Sequence, residues 1–177
     1  RDYDTFYMSI GQGYNLVTPL QLANCVATIA NGGDLLKPYL VQTITDAEGN
    51  VVYEAQRQVT NHLTLDEEGL EKLRAGMRAV IEPGGTASSV FRDFPIQVAG
   101  KTGTAQTGIQ GDDPDEDFHG VFVAFAPYED PEVAFACVVE YGHRGGTTAG
   151  VVCREVLNAY FELDASPLPD WLPESSE

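Results

Sequence analysis

Apolar residues recur at two different periods along the chain, and the changes of period mark out its elements. Leu22, Ala23, Val26, Ile29 and Ala30 fall on one face at helical spacing. Thr18, Pro19 and Gln21 precede or open that stripe as N-cap, first helical residue and capping-box partner. Asn31-Gly32-Gly33 then supplies the left-handed residue that ends a helix. A second stripe, Leu70, Leu73, Met77 and Val80, follows Thr64 and Glu67, which read as another capping box, and stops at Pro83-Gly84-Gly85. A third helix is predicted over 147–163, with Val152, Val156, Ala159 and Tyr160 facing in.

Elsewhere the period falls to two. Leu40 to Thr45 and Val51 to Glu54 flank "DAEGN" and predict a small hairpin. Gln97 to Thr104, Phe118 to Ala126 and Glu132 to Tyr141 read as strands. In the second of these, Val121, Val123 and Phe125 alternate with Phe122, Ala124 and Ala126, so both faces are apolar and both must be covered. "PYEDP" is short enough to make the second and third strands an antiparallel pair. Residues 1–17 are aromatic and glycine-rich, and Gly11-Gln12-Gly13 calls for a turn or a close backbone approach. The prediction is an α+β fold: an antiparallel sheet of about three core strands with helices on both faces, plus the hairpin. One unit spans 1–163, and a loose acidic, proline-bearing tail spans 164–177.

Composition narrows the function. The chain has 177 residues, 43% hydrophobic and 21% charged, enough for one domain with a core. A net charge of −17 excludes nucleic acid as a partner and docking on an anionic membrane by charge. Cys25, Cys137 and Cys153 have no metal-ligand spacing, and an odd count is no complete disulfide framework. Cys25 and Cys137 lie in apolar runs and are expected to be buried. No apolar run approaches the ~20 residues of a membrane-spanning helix. Residues 112–117 carry five acids but lack the spacing of a calcium loop, so the segment reads as a solvated loop, with no metal site. The chain opens on Arg1 rather than Met, and a piece of a longer protein is expected.

The chemistry centres on "VAGKTGTAQ", Val98 to Gln106. Gly100-Lys101-Thr102 is the tail of a phosphate-binding loop, but that loop needs glycine where Pro95 stands, and a helix where strand and loop follow. The alternative is K-T-G-T on a strand. Lys101 is a compact cation that can depress the pKa of a neighbouring nucleophile or relay its proton. Thr102 and Thr104, two apart, put hydroxyls on one face. Gly103 between them permits close backbone approach. A free strand edge here can accept a peptide as an added strand.

Around this motif stand "SIGQGYNLVTPLQLANCVATIANGG", "GMRAVIEPGGTA", "HGVFVAFAPYEDPEVAFACVVE" and "REVLNAYF". In this order and spacing, from Thr5 to Phe161, the chain resembles the C-terminal half of the transpeptidase domain of class B penicillin-binding proteins of the elongation or sporulation type. The resemblance implies part of a serine β-lactamase-like fold. It implies D,D-transpeptidation that cross-links peptidoglycan stem peptides through a serine acyl-enzyme, without metal or organic cofactor. Implied partners are the D-Ala-D-Ala stem peptide, β-lactams and other cell-wall synthesis proteins. The implied location is the cell membrane, with the catalytic domain outside the cytoplasm and an anchor outside this chain. Lys101 is then the catalytic residue, and Thr102, Gly103 and Thr104 bind substrate, the Thr104 N–H serving an oxyanion hole.

The family's S-x-x-K serine and its S-x-N motif are missing: Ser9, Ser88 and Ser89 have Gln12, Phe91 and Arg92 three residues on. In the family both motifs precede "SIGQG". The expectation is one wall of an active site, not acylated on its own. Rival readings are a serine β-lactamase or penicillin-sensing receptor domain, and a non-catalytic scaffold of the cell-wall machinery. His119 is expected to pack at a strand start rather than act as a base. His143 and Arg144 are expected in an exposed turn, and Gln12 in the scaffold. A sheet edge and an apolar face left open are expected to favour self-association.

Overall fold

Residues 2–108 and 118–163 are described by the computed structural model. The acidic segment 109–117 and the tail 164–177, on which two of the expectations above fall, lie outside the described residues. The order is α1 (Asp2–Ser9), α2 (Pro19–Ala30), β1 (Asp34–Leu36), β2 (Thr43–Thr45), β3 (Val51–Glu54), β4 (Val59–His62), α3 (Glu67–Ala79), α4 (Ser88–Phe91), β5 (Ala99–Gln106), β6 (Phe118–Ala126), β7 (Val133–Val139) and α5 (Ala149–Tyr160).

The strands β5, β6 and β7 form an antiparallel sheet in that order, paired from Ala99↔Phe125 to Gln106↔Phe118 and from Gly120↔Val139 to Ala126↔Val133. Helices α4 and α5 cover one face, α2 and α3 the other. The alternation along β6 decides which core each residue enters. Phe122, Ala124 and Ala126 join Val90, Phe91, Cys153 and Leu157 on the α4–α5 side. Phe125 joins Val26, Ala30, Met77 and Ala99 on the α2–α3 side. Phe122 is fully buried, and burial of a side chain that size stabilises by roughly 1.5–3 kcal/mol. The fold is α+β, with helices on both faces of an antiparallel sheet, as the periodicity predicts. The predicted capping box of α2 is present in full, Thr18 with Gln21.

Several local expectations need correction. Helix α3 is capped by Asp66, whose carboxylate accepts from Gly69 N–H at 2.8 Å, two residues later than Thr64. On α5 the predicted inward stripe faces out: Val152, Val156 and Tyr160 are 43–50% exposed, while Ala149, Cys153 and Leu157 are buried. A one-residue offset is a 100° rotation, and the smaller stripe, with Gly150, is the one that lets the helix lie close on Phe122. Cys25 is exposed for the same reason, since Val26 and Ala30 take the interior side of α2. Residues 2–9 are helical although no apolar stripe announces it. The predicted hairpin exists as β2–β3, and a second ribbon, β1–β4, joins segments that sequence separates by more than 20 residues. The K-T-G strand runs to Gln106, two residues past its predicted end, and α5 stops at Tyr160 rather than Leu163.

Candidate active site

Strand β5 is a margin of the sheet, so one of its sides has no strand partner among the described residues. The Thr104 carbonyl on that free side accepts from Gln12 Nε2 at 3.2 Å. The Thr102 carbonyl accepts from Lys101 Nζ at 2.6 Å. In an extended strand the N–H and C=O of one residue project to the same side. Thr102 and Thr104 therefore present backbone donors as well as acceptors along the free edge. The Lys101 side chain is exposed and curls round to this edge.

The side chains of Thr102 and Thr104 open on a cleft of about 550 Å³, shared with Thr86, Phe118 and the loop from His143 to Thr147. The Thr102 hydroxyl is paired with that of Thr86 at 2.8 Å. The loop is held by its own bonds: the Arg144 carbonyl accepts from the hydroxyls of Thr147 (3.2 Å) and Thr148 (3.0 Å). It lies against β5 without intervening side chains. A Cβ on Gly145 would sit 2.3 Å from the Gly103 oxygen, and one on Gly146 would sit 3.2 Å from Thr102 Cγ2. It is the missing Cβ of Gly145 that permits this approach; a Cβ on Gly103 would instead meet the Val121 side chain at 3.2 Å, so the room expected at Gly103 is not what the loop uses.

The structure brings Lys101, Thr102, Gly103 and Thr104 together on one exposed strand margin, with Thr86, Gln12 and Arg144 around them. Thr86 had no signal of its own in the sequence. It follows the Gly84-Gly85 turn, where the Ala87 N–H donates to the Val80 carbonyl and directs the chain back across β5. His119 packs as expected: its Nδ1 accepts from the Tyr141 N–H at 3.1 Å, and its ring meets Tyr141 edge-on. No thiol competes for a nucleophile's role in the core. Burial pushes the Cys153 thiol far up, and that of Cys137 up as well. Among the described residues no cluster of His, Cys, Asp or Glu is placed to hold a metal ion. Nor is any helix among them long and apolar enough to cross a membrane.

Comparison with known proteins gives this arrangement its context. The penicillin-binding protein transpeptidase domain family matches residues 1–158. Peptidoglycan D,D-transpeptidase MrdA of Acinetobacter baumannii is 38% identical over 155 residues, covering 82% of this chain and 23% of the relative. The imipenem acyl-enzyme complex of penicillin-binding protein A from M. tuberculosis superposes with a TM-score of 0.70 at 30% identity, covering 88% of this chain and 33% of that one. The Helicobacter pylori complex between the penicillin-binding protein PBP2 and MreC gives a TM-score of 0.71 at 31% identity, covering 94% and 29%. The chain spans about a quarter of the length of the curated relatives it matches. With a family match that takes in all but the last 19 residues, this chain belongs to the penicillin-binding protein transpeptidase domain family.

Proposed function

We propose that the chain is the K-T-G wall of a D,D-transpeptidase that cross-links peptidoglycan stem peptides, and that polypeptide outside these 177 residues supplies the S-x-x-K serine. The observation that carries this is the free margin of β5, where Thr102 and Thr104 line an open cleft and Lys101 Nζ reaches the same strand edge, in a member of this family. The serine oxygen attacks the carbonyl of the D-Ala-D-Ala bond. Its proton passes through neighbouring amines, and the terminal D-Ala leaves as the acyl-enzyme forms. An amine from a second stem peptide then attacks the ester and frees the serine. Lys101 supplies positive charge beside the nucleophile. The hydroxyls of Thr102 and Thr104 hold the donor's terminal carboxylate, and the Thr104 N–H stabilises the oxyanion. β-Lactams enter as donor mimics. The acyl-enzyme captured in the M. tuberculosis relative supports that step.

By the same reading the site works outside the cytoplasm in a membrane-anchored protein, beside other cell-wall synthesis proteins; the relative solved in complex with MreC supports a protein partner. Residues 1–163 act as one unit, and neither metal nor organic cofactor takes part. The outer edge of β7 and the exposed stripe Val152, Val156 and Tyr160 on α5 make the isolated chain self-associate through a second copy.

A fluorescent penicillin tests the function. The full-length protein is expected to form a stable covalent adduct, and Lys101→Ala to slow its formation by about 10²- to 10⁴-fold. The 177-residue chain alone is expected to form none. A stable adduct on the isolated chain overturns the division of labour. Rapid hydrolysis of the adduct on the full-length protein identifies a β-lactamase instead.

A further inference from the structure

Helix α1 ends in a Schellman motif. The Gln12 N–H donates to the Tyr7 carbonyl at 2.8 Å and the Gly11 N–H to the Met8 carbonyl at 3.1 Å. Gly11 has φ +76°, the left-handed conformation such an ending needs. Gln12 is therefore the residue just past the cap, with its backbone fixed by the longer of the two closing loops. Gly13, at φ +80°, turns the chain away, and a Cβ there would lie 3.1 Å from Tyr7 Cβ. Between these two glycines the Gln12 side chain projects from a braced backbone. Its amide reaches the Thr104 carbonyl, 92 positions away in sequence.

We propose that Gln12 is a positioning residue for the transpeptidase site, acting through the Thr104 carbonyl. The proposal rests on the transpeptidase function above. Thr104 ends the K-T-G-T motif on a sheet margin, where no neighbouring strand among the described residues restrains its peptide planes from the outside. A hydrogen bond to its carbonyl restrains the backbone torsions of Thr104. The N–H of the same residue, on the same edge, then keeps its aim at the oxygen of an incoming carbonyl. A glutamine suits the task. It donates without charge, so it does not draw the substrate's carboxylate away from Thr102 and Thr104. Sequence alone left Gln12 without a chemical role because its partner is remote in the chain and is a backbone atom.

The test uses the full-length protein and a fluorescent penicillin in stopped flow, with the dissociation constant of the non-covalent complex and the first-order acylation constant resolved separately. Gln12→Met keeps the length of the side chain and removes the donor. Gln12→Glu turns a carboxylate oxygen toward the carbonyl. Outright loss of an oxyanion donor slows a reaction on the order of 10²- to 10³-fold, and a donor that is only loosened costs less. The acylation constant is expected to fall about tenfold in the Met variant and further in the Glu variant, with the dissociation constant and the melting temperature unchanged. Wild-type acylation constants in both variants, or an effect confined to the dissociation constant, would overturn the role. If one variant fails to fold, the other carries the test; if both fail, Gln12 is a folding residue and the proposal is lost. A wild-type protein that forms no adduct removes the transpeptidase reading and this proposal together, whereas normal wild-type acylation with unaffected variants removes this proposal alone.

Discussion

The two margins of the central sheet are built from strands of similar length, eight residues in β5 and seven in β7, yet they are finished differently. Along β5 three nearby segments contribute something polar: Gln12 from the end of α1, Thr86 from the turn before α4, and the 143–147 loop. Along β7 the residues are half-buried hydrophobics between α2 and α5, and no described strand pairs with the outer edge. A margin dressed with donors and hydroxyls beside a cleft is equipped to receive a polar chain. A bare margin beside an apolar helix stripe is equipped to be covered. Within one sheet, the side chains that line an edge separate an edge for substrate from an edge for packing.

That contrast can be broken from either side. The largest effect is expected at Gly145, whose backbone touches both β5 and β6. A Cβ there would lie 2.0 Å from the Val121 oxygen and 2.3 Å from the Gly103 oxygen. Gly145→Ala should destabilise the chain by about 3 kcal/mol in urea unfolding, the upper part of the usual range for overpacking. It should also empty the cleft of its loop. On the other margin, Val152→Glu combined with Tyr160→Glu should abolish dimers in sedimentation experiments. Both positions face solvent, so stability should stay within roughly 0.5 kcal/mol per site. A chain that sediments only as a monomer at high concentration before any substitution removes the packing role assigned to β7 and α5.

The smallest effect lies away from both margins, on the β1–β4 ribbon. Hydrogen bonds from Arg57 and then His62 hold the Asp34 carboxyl below its ordinary value of 3.8. A carboxyl depressed in this way contributes stability fully above pH 3.8, and the contribution fades as pH falls through the lower folded value. Asp34→Asn should therefore flatten the melting temperature below about pH 4. It should leave the acylation constant of the full-length protein unchanged. An unaltered acid profile would show that the ribbon pair contributes nothing.

The central sheet was legible in the sequence because its code is local. The two apolar faces of β6 and the short turn after Ala126 are enough to give two covered strands in antiparallel pairing. Helix α2 was legible for the same reason, with its capping box and terminating glycines within 16 residues, 18–33. The orientation of α5 was not, because it carries two apolar stripes 100° apart. Only packing against Phe122 chooses between them. Ribbon β1–β4 was missed because its strands are three and four residues long and pair across an intervening hairpin. In the candidate site, Lys101 to Thr104 stood out as a contiguous motif. Thr86 and Gln12 did not, since each meets the motif through one hydrogen bond across a long stretch of chain.

Strand β6 sends Phe122 into one core and Phe125 into the other. A slip of β5 along β6 by one residue would oppose every small position on one strand to the wrong neighbour on the next, beginning with Gly100, which already has the Phe122 ring where its own Cβ would be. The longitudinal setting of the lysine and the two threonines is thus gauged by aromatic rings on the neighbouring strand, Phe122 standing directly opposite Thr102. Drift in that setting should follow from enlarging or trimming either ring, long before any residue of the motif itself is altered.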